Sequence, residues 1–163
     1  MTQLDVYLKS DFEPDAEYVD GEIEERPMGE YDHAAWQGAI FSWFRKHSKE
    51  WNIRVVPELR VQVTPSRFRV PDVAVLDRDL VIEQIATQPP VAVFEVLSPE
   101  DTVEKLLRKL YDYQEMGIAQ IWIVNPKTGD WWKFVEGQLV TEAEFRQGTV
   151  RFAISEIQGE LDL

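Results

Sequence analysis

The segment Val91–Leu97, with the sequence VAVFEVL, constrains the fold of this chain more than any other feature. It is almost continuously apolar, which is typical of a β-strand buried on both faces of a sheet. Its one acid, Glu95, lies in the middle of the run, where an unpaired charge is costly unless a cation compensates it. Strand alternation places Glu95 on the same face as Val93 and Leu97, so we expect it to point into an apolar layer.

The residues after this strand predict a helix and a second buried strand. The sequence SPED at positions 98–101 supplies an N-cap hydroxyl, a proline at the first helical position and acids in the first turn. We expect the helix to reach about Met116 and to stop at Gly117, before a buried strand at 119–124. Strand, helix and strand together predict a right-handed crossover in an otherwise antiparallel sheet, which gives a mixed α/β fold.

Turn signals and apolar periodicity predict the remaining elements. We expect hairpins around Asp20-Gly21 and Glu136-Gly137, and an amphipathic helix from Tyr31 to Lys49 with Asp32 at its start. Segments rich in β-branched residues predict a meander of strands at 53–56, 59–64 and 70–76, and a last strand near 150–154. No repeat or linker-like tract interrupts the sequence, so residues 1–163 are predicted to form a single domain.

The composition limits the class of protein. The chain has no cysteine, which excludes disulfides and cysteine nucleophiles and makes the reducing cytoplasm the expected location. No apolar run approaches the roughly 20 residues that span a bilayer, and the first residues do not resemble a signal peptide, so we expect neither membrane insertion nor export. The net charge of −13 disfavours broad, non-specific attraction to a polyanion.

A second acid, Asp72, begins the predicted strand VPDVAVL. If Asp72 and Glu95 converge, their carboxylate oxygens are the ligands that Mg²⁺ or Mn²⁺ selects. Lys105 and Lys109 lie four residues apart on one face of the following helix, and either could approach Glu95 when the helix folds back on its strand. From these residues alone, a metal site and a structural ion pair between Glu95 and a lysine are equally favoured.

Several segments together resemble the Uma-two family of the restriction-endonuclease-like PD-(D/E)XK superfamily. They are EYVDGE at 17–22, His33 before the first long helix, RVPDVAVL at 69–76, FEVLSPED at 94–101 and KLYDYQEMGIAQIWIVNP at 109–126. The resemblance spans most of the chain and implies a restriction-endonuclease-like mixed β-sheet flanked by α-helices, with additional β-hairpins. It departs from the superfamily pattern at Leu97, where the ExK motif has a lysine.

The resemblance also implies an activity, which is divalent-metal-dependent hydrolysis of DNA phosphodiester bonds with Mg²⁺ or Mn²⁺ as the cofactor. The implied metal ligands are Asp72 and Glu95, to which the backbone carbonyl of Val96 could add a third oxygen. Lys109 is the implied lysine that orients the attacking water. The supporting candidates are Glu17, His33, Glu58 and Lys105, with Glu17 preferred over Glu58 as an additional ligand or a partner of one.

Other hypotheses use the same residues. A non-catalytic protein of the nuclease fold, acting as an oligomeric interaction or regulatory module, fits the acidic composition and the missing ExK lysine, and it predicts no metal binding. A hydrolase of nucleotides or small phosphates would also suit an acidic protein. Exposed aromatic hairpins favour a homodimer.

Two further groups of residues have alternative interpretations. The arginines predict either a phosphate-contacting surface or the solvated faces of strands; they are Arg54, Arg60, Arg67 and Arg69. The tryptophans fit core or subunit contacts better than base-stacking platforms; they are Trp36, Trp43, Trp131 and Trp132.

Overall fold

The computed structural model of the protein describes residues 2–10, 16–26 and 30–161. The helices are α1 Gln3–Lys9, α2 Tyr31–Lys46 and α3 Val103–Met116, followed by a 3₁₀-helix at Ile154–Glu160. The strands are β1 Glu17–Val19, β2 Glu22–Glu24, β3 Ile53–Pro57, β4 Val61–Thr64, β5 Arg67–Arg69, β6 Val73–Asp77, β7 Ala92–Val96, β8 Gln120–Val124, β9 Trp131–Val135, β10 Gln138–Thr141, β11 Glu144–Gln147 and β12 Val150–Ala153.

A six-stranded mixed sheet carries the core. Its order is β10-β9-β8-β7-β6-β3, in which β7 and β8 are parallel and the other neighbours are antiparallel. The helix α3 connects the parallel strands β7 and β8, which confirms the predicted strand–helix–strand connection. All five residues of β7 are buried, as its apolar sequence predicted, and β7 lies in the interior of the sheet.

Apolar layers cover both faces of this sheet. On one face, side chains of α2 such as Phe44 pack with Phe94 and Trp122. On the other face, Leu110 and Tyr113 of α3 pack with strand residues such as Val93. The mixed sheet flanked by helices is therefore confirmed, and smaller antiparallel sheets accompany it.

The tryptophans Trp36 and Trp131 are buried and contact each other edge-on, which confirms that they pack in the core. The hairpins β1–β2 and β9–β10 are also confirmed. Among the described residues, no helix has both the length and the apolar character needed to cross a membrane.

The prediction of one strand meander between residues 53 and 76 was wrong. β3 and β6 belong to the six-stranded sheet, whereas β4 and β5 join a second sheet of order β2-β1-β5-β4. The chain leaves the first sheet at Glu58, which has a positive φ of 51° directly after Pro57. The short strand β5 was missed because two of its three residues are arginines, which carry little strand signal.

The helix α3 begins later in the chain than predicted. Thr102, and not Ser98, caps α3, because its hydroxyl accepts the backbone N–H of Lys105. The SPED sequence instead forms a turn in which the Ser98 N–H donates to Asp101 Oδ2 at 2.7 Å. The end of α3 at Gly117, with φ 97°, is confirmed.

The helix α2 begins at Tyr31, so Asp32 lies inside its first turn instead of starting it, and the helix ends at Lys46 instead of Lys49. The strand β11, which pairs with the predicted last strand β12, was not anticipated.

Candidate active site on the central strands

The two acids predicted as metal ligands meet on one face of the central sheet. The antiparallel register of β6 and β7 pairs Val73 with Phe94. Continued by one residue, this register places Asp72, just before β6, opposite Glu95. Directly opposed residues of an antiparallel pair point to the same face, here the face covered by α3. Both carboxylates are buried, with Asp72 2% exposed and Glu95 6% exposed.

Glu95 is held by two residues of α3. The phenol of Tyr113 donates to Glu95 Oε1 at 2.8 Å, and Lys109 Nζ lies 3.7 Å from Glu95 Oε2. The pKa of Glu95 is raised to about 8, mainly by burial. The charge of Lys109 lowers this pKa, and the charges of Asp72 and Glu17 raise it. Without further positive charge beside it, this carboxyl is protonated at neutral pH.

Asp72 is surrounded by donors. Arg26 Nη2 lies 2.5 Å from Asp72 Oδ1, the backbone N–H of Val96 donates to Oδ2 at 2.7 Å, and His33 Nε2 lies 3.3 Å from Oδ2. Burial alone would raise the pKa of Asp72, but the contacts with His33 and Arg26 hold it below its ordinary value. Asp72 is therefore ionised at a pH at which Glu95 is still protonated.

Lys109 bridges two acids. Its Nζ lies 3.3 Å from Glu17 Oε2 as well as 3.7 Å from Glu95 Oε2. Burial opposes its charge, yet Glu17 and Glu95 together raise the pKa of Lys109, so the ammonium stays protonated. Glu17 itself is fixed by the backbone N–H of Val70, which donates to Glu17 Oε2 at 2.8 Å.

The predicted supporting residues lie at different distances from this centre. His33 lies in the first turn of α2, not before it, and reaches Asp72. Burial lowers the pKa of His33, but the Asp72 carboxylate raises it, and the net result is a raised pKa. The Nδ1 atom of His33 is buried and has no hydrogen-bond partner in the described part of the chain. The Glu58 carboxylate is joined to Asp72 through Arg26, whose Nη1 lies 3.1 Å from Glu58 Oε1, and the Glu58 backbone N–H donates to the Asp72 carbonyl at 3.2 Å. Lys105 is exposed and makes no ion pair with Glu95 among the described residues.

Sequence reasoning missed a buried charge network behind the site. Arg69, which is 3% exposed, bonds Asp112 at 2.7 Å through Nε and contacts Glu17 at 3.4 Å through Nη1. Arg67 also bonds Asp112, at 2.7 Å. Arg69 does not lie on the solvated face of a strand, because it is buried and its charge is paired with Asp112 and Glu17. Asp112 lies three residues after Lys109, so its position on the helix face of Lys109 was the available signal.

Arg26 and Tyr113 were also missed. Arg26 follows β2 without any pattern that marks it, and only the folded chain brings it to Asp72. Tyr113 is spaced one helical turn from Lys109, which places both side chains beside Glu95.

The residue types at this site fit a hard divalent cation. Asp72 and Glu95 share a face of the sheet, and Glu17 lies close to Glu95, since Lys109 Nζ is 3.3 Å from Glu17 Oε2 and 3.7 Å from Glu95 Oε2. The described residues contain no ready-made cluster of three or more histidine and acid ligands. Binding a cation at Asp72 would require Arg26 to release Oδ1, because the guanidinium is the cation at that oxygen here.

A cleft of about 320 Å³ opens onto Glu95 and Lys109. Acids and bases both line it, including Arg26, Glu24 and Arg108. Asp72 is not among the residues that line this cleft, so the opening reaches the site from the side of Glu95 and Lys109.

The mixed sheet with its paired acids has the architecture of a nuclease-like α/β protein. Residues 4–161 match the Uma2 family, described as "Putative restriction endonuclease". This chain belongs to the Uma2 family.

A solved structure shares the fold of this chain over nearly its whole length. A structure from Anabaena variabilis ATCC 29413, described as a "putative nuclease belonging to DUF820", has a TM-score of 0.80 and 21% identity, with 99% of each chain covered. The DrdV–DNA complex has a TM-score of 0.43 and 14% identity, covering 79% of this chain and 11% of that one. No curated protein matches the chain.

Proposed function

We propose that this protein is a divalent-metal-dependent endonuclease that hydrolyses phosphodiester bonds in DNA, with Mg²⁺ or Mn²⁺ as its cofactor. The observation that carries this proposal is the meeting of Asp72 and Glu95 on one sheet face, with the ammonium of Lys109 3.7 Å from Glu95 Oε2. Membership of a family with a nuclease description supports it.

In this proposal Asp72 and Glu95 bind the cation, and the backbone carbonyl of Val96 adds an oxygen. The cation, when bound, supplies charge that polarises a phosphoryl oxygen and lowers the pKa of an attacking water. Lys109 stays protonated between Glu17 and Glu95, so it donates hydrogen bonds that orient the water or stabilise developing negative charge. In this way Lys109, on α3, takes the place of the ExK lysine that the strand lacks at Leu97.

The residues around the acids support the same roles. His33 lowers the pKa of Asp72 and so favours its ionised form, which is the state that binds a cation. Tyr113 fixes Oε1 of Glu95 and leaves Oε2 towards Lys109. Arg69 and the Val70 N–H fix Glu17, which in turn places Lys109.

Plasmid nicking tests this function. Wild-type protein is expected to nick supercoiled plasmid with Mg²⁺ or Mn²⁺ and to lose this activity in EDTA. Asp72→Asn, Glu95→Gln and Lys109→Gln are each expected to lower the rate at least about 100-fold, the usual effect of removing a group that stabilises the transition state. Glu115→Gln, on the exposed face of the same helix, is the control. Nicking at the wild-type rate by both Asp72→Asn and Glu95→Gln would refute the proposal.

One observation favours a second candidate, a non-catalytic module of the nuclease fold. Arg26 and His33 already compensate the charge of Asp72, as they would in a purely structural cluster. This candidate predicts no binding of Mg²⁺ or Mn²⁺, so metal titration separates the two. The homodimer and the cytoplasmic location stay predictions.

A further inference from the structure

The basic residues of the helix α3 lie in its first half, towards the end at which the helix dipole disfavours cations. The cations Lys105, Arg108 and Lys109 all lie in the first half of the helix, and its last turn has no basic residue. The acids Asp112 and Glu115 follow them. Glu104 in the first turn suits the dipole, whereas Lys105 in the same turn opposes it, so the dipole does not account for a cation at Lys105.

Intramolecular pairing explains only one of the three cations. Lys109 contacts Glu17 and Glu95. Lys105 and Arg108 are exposed, and neither makes an ion pair within the described residues. Arg108 acts on Asp20 only at longer range, since that carboxylate bonds Arg67 and Ser66.

The two unpaired cations line the same cleft as Glu95 and Lys109. Residues four apart share a helix face, so Lys105 lies about one turn, roughly 6 Å along the axis, from Lys109. A nucleic-acid strand carries one phosphate for roughly every 3.4 Å of duplex axis. A phosphate one or two nucleotides from a group held at Lys109 therefore falls within reach of Lys105 and Arg108.

We propose that Lys105 and Arg108 form a subsite that binds a phosphodiester neighbouring the one at Asp72, Glu95 and Lys109. This inference rests on the proposed function, because it takes the hydrolysis at Asp72, Glu95 and Lys109 as given. It specifies that the substrate is a nucleic-acid strand with successive phosphodiesters and not a mononucleotide. The acids that also line the cleft restrict the subsite to one or two phosphates; they include Glu24, Glu25, Glu100 and Asp101. A confined subsite of this kind is compatible with a chain of net charge −13.

Binding of a fluorescein-labelled DNA oligonucleotide tests the subsite. The double variant Lys105→Gln/Arg108→Gln is compared with Arg45→Gln/Lys127→Gln, which makes the same charge change at exposed residues outside the cleft. The first variant is expected to raise the Kd about tenfold and to reduce the slope of log affinity against log salt by about 2, one for each phosphate contact. The control is expected to change the Kd less than about twofold, and an equal loss in both variants, or a loss in neither, would overturn the subsite.

The melting temperature separates a binding role from a structural one. The helix dipole disfavours Lys105 in the first turn, and neither Lys105 nor Arg108 makes an ion pair among the described residues. The Lys105→Gln/Arg108→Gln variant is therefore expected to melt no lower than wild type. A clearly lower melting temperature would assign the two residues to stability and overturn the proposal.

Hydrolysis of a small phosphodiester, compared with hydrolysis of DNA, separates failure of the subsite from failure of the proposed function. Bis(p-nitrophenyl) phosphate has one phosphodiester and cannot reach a second site. If wild type hydrolyses neither this ester nor DNA, yet oligonucleotide binding depends on Lys105 and Arg108, the hydrolase fails and the subsite stands. If wild type hydrolyses DNA and the double variant leaves the KM for DNA unchanged, the subsite fails and the hydrolase stands.

Discussion

Asp72 lies opposite Glu95 across the β6–β7 pair, so both carboxylates point to the same face of the sheet. Their surroundings nevertheless give them opposite charge states. Arg26 and His33 keep Asp72 ionised, whereas burial and the neighbouring acids raise the pKa of Glu95 to about 8. Pairs of acids whose environments separate their pKa values are a common property of functional sites.

Removing the charge of Arg26 is expected to tighten metal binding. Its guanidinium lies on Asp72 Oδ1, so a cation at that oxygen must compete with it. We expect Arg26→Gln to lower the Kd for Mg²⁺ about tenfold, which corresponds to about 1.4 kcal/mol. Isothermal titration calorimetry measures the change, with Arg45→Gln as the control for net charge. An unchanged or weaker affinity would show that the two cations do not compete.

The pKa of Glu95 predicts how stability depends on pH in metal-free protein. Folding raises this pKa from its ordinary value of 4.5 to about 8. Between these values the folded protein keeps a proton that the unfolded chain has lost, so the contribution of Glu95 to stability is full below pH 4.5 and is lost as the pH rises to about 8.

Urea denaturation in EDTA at several pH values between 5 and 8 checks this dependence. We expect the free energy of unfolding of wild type to fall over this interval relative to that of Glu95→Gln, which lacks the titrating group. Parallel curves for the two proteins would contradict the assignment of the raised pKa to Glu95.

Asp112 is expected to be important for stability although it does not face the cleft. Asp112→Asn removes the charge that pairs with Arg69, which is 3% exposed. Breaking one partner of a buried ion pair typically costs about 3 kcal/mol. Glu115→Gln on the exposed face of the same helix should change the free energy of unfolding by less than about 0.5 kcal/mol. Denaturant unfolding of both variants measures the difference, and equal values would refute a structural role for the network.

The sequence predicted the central elements because each has a strong local signal. The apolar run around Glu95 predicts a buried strand, and Gly117 marks the end of α3. The sheet pairing that separates β4 and β5 from their neighbours depends on tertiary contacts, so the meander prediction failed there. SPED has every feature of a helix start, but the chain forms an additional turn before Thr102 caps α3.

The residues of the candidate site were likewise predictable only where they have a local sequence signal. Asp72, Glu95 and Lys109 lie in recognisable segments, and the structure brings them together. Arg26 is isolated in sequence and reaches Asp72 only through folding, so no local pattern could have indicated it. Arg69 belongs to a recognised segment, but its burial among Glu17 and Asp112 depends on how the second sheet packs against α3.

Titration of metal into the purified protein tests the central claim most directly. Calorimetry with Mn²⁺ or Mg²⁺ is expected to show one site in wild type, and Asp72→Asn and Glu95→Gln are each expected to abolish or greatly weaken binding. Glu115→Gln should bind like wild type. No saturable binding to wild type, or equal binding by all the variants, would contradict a metal site formed by Asp72 and Glu95.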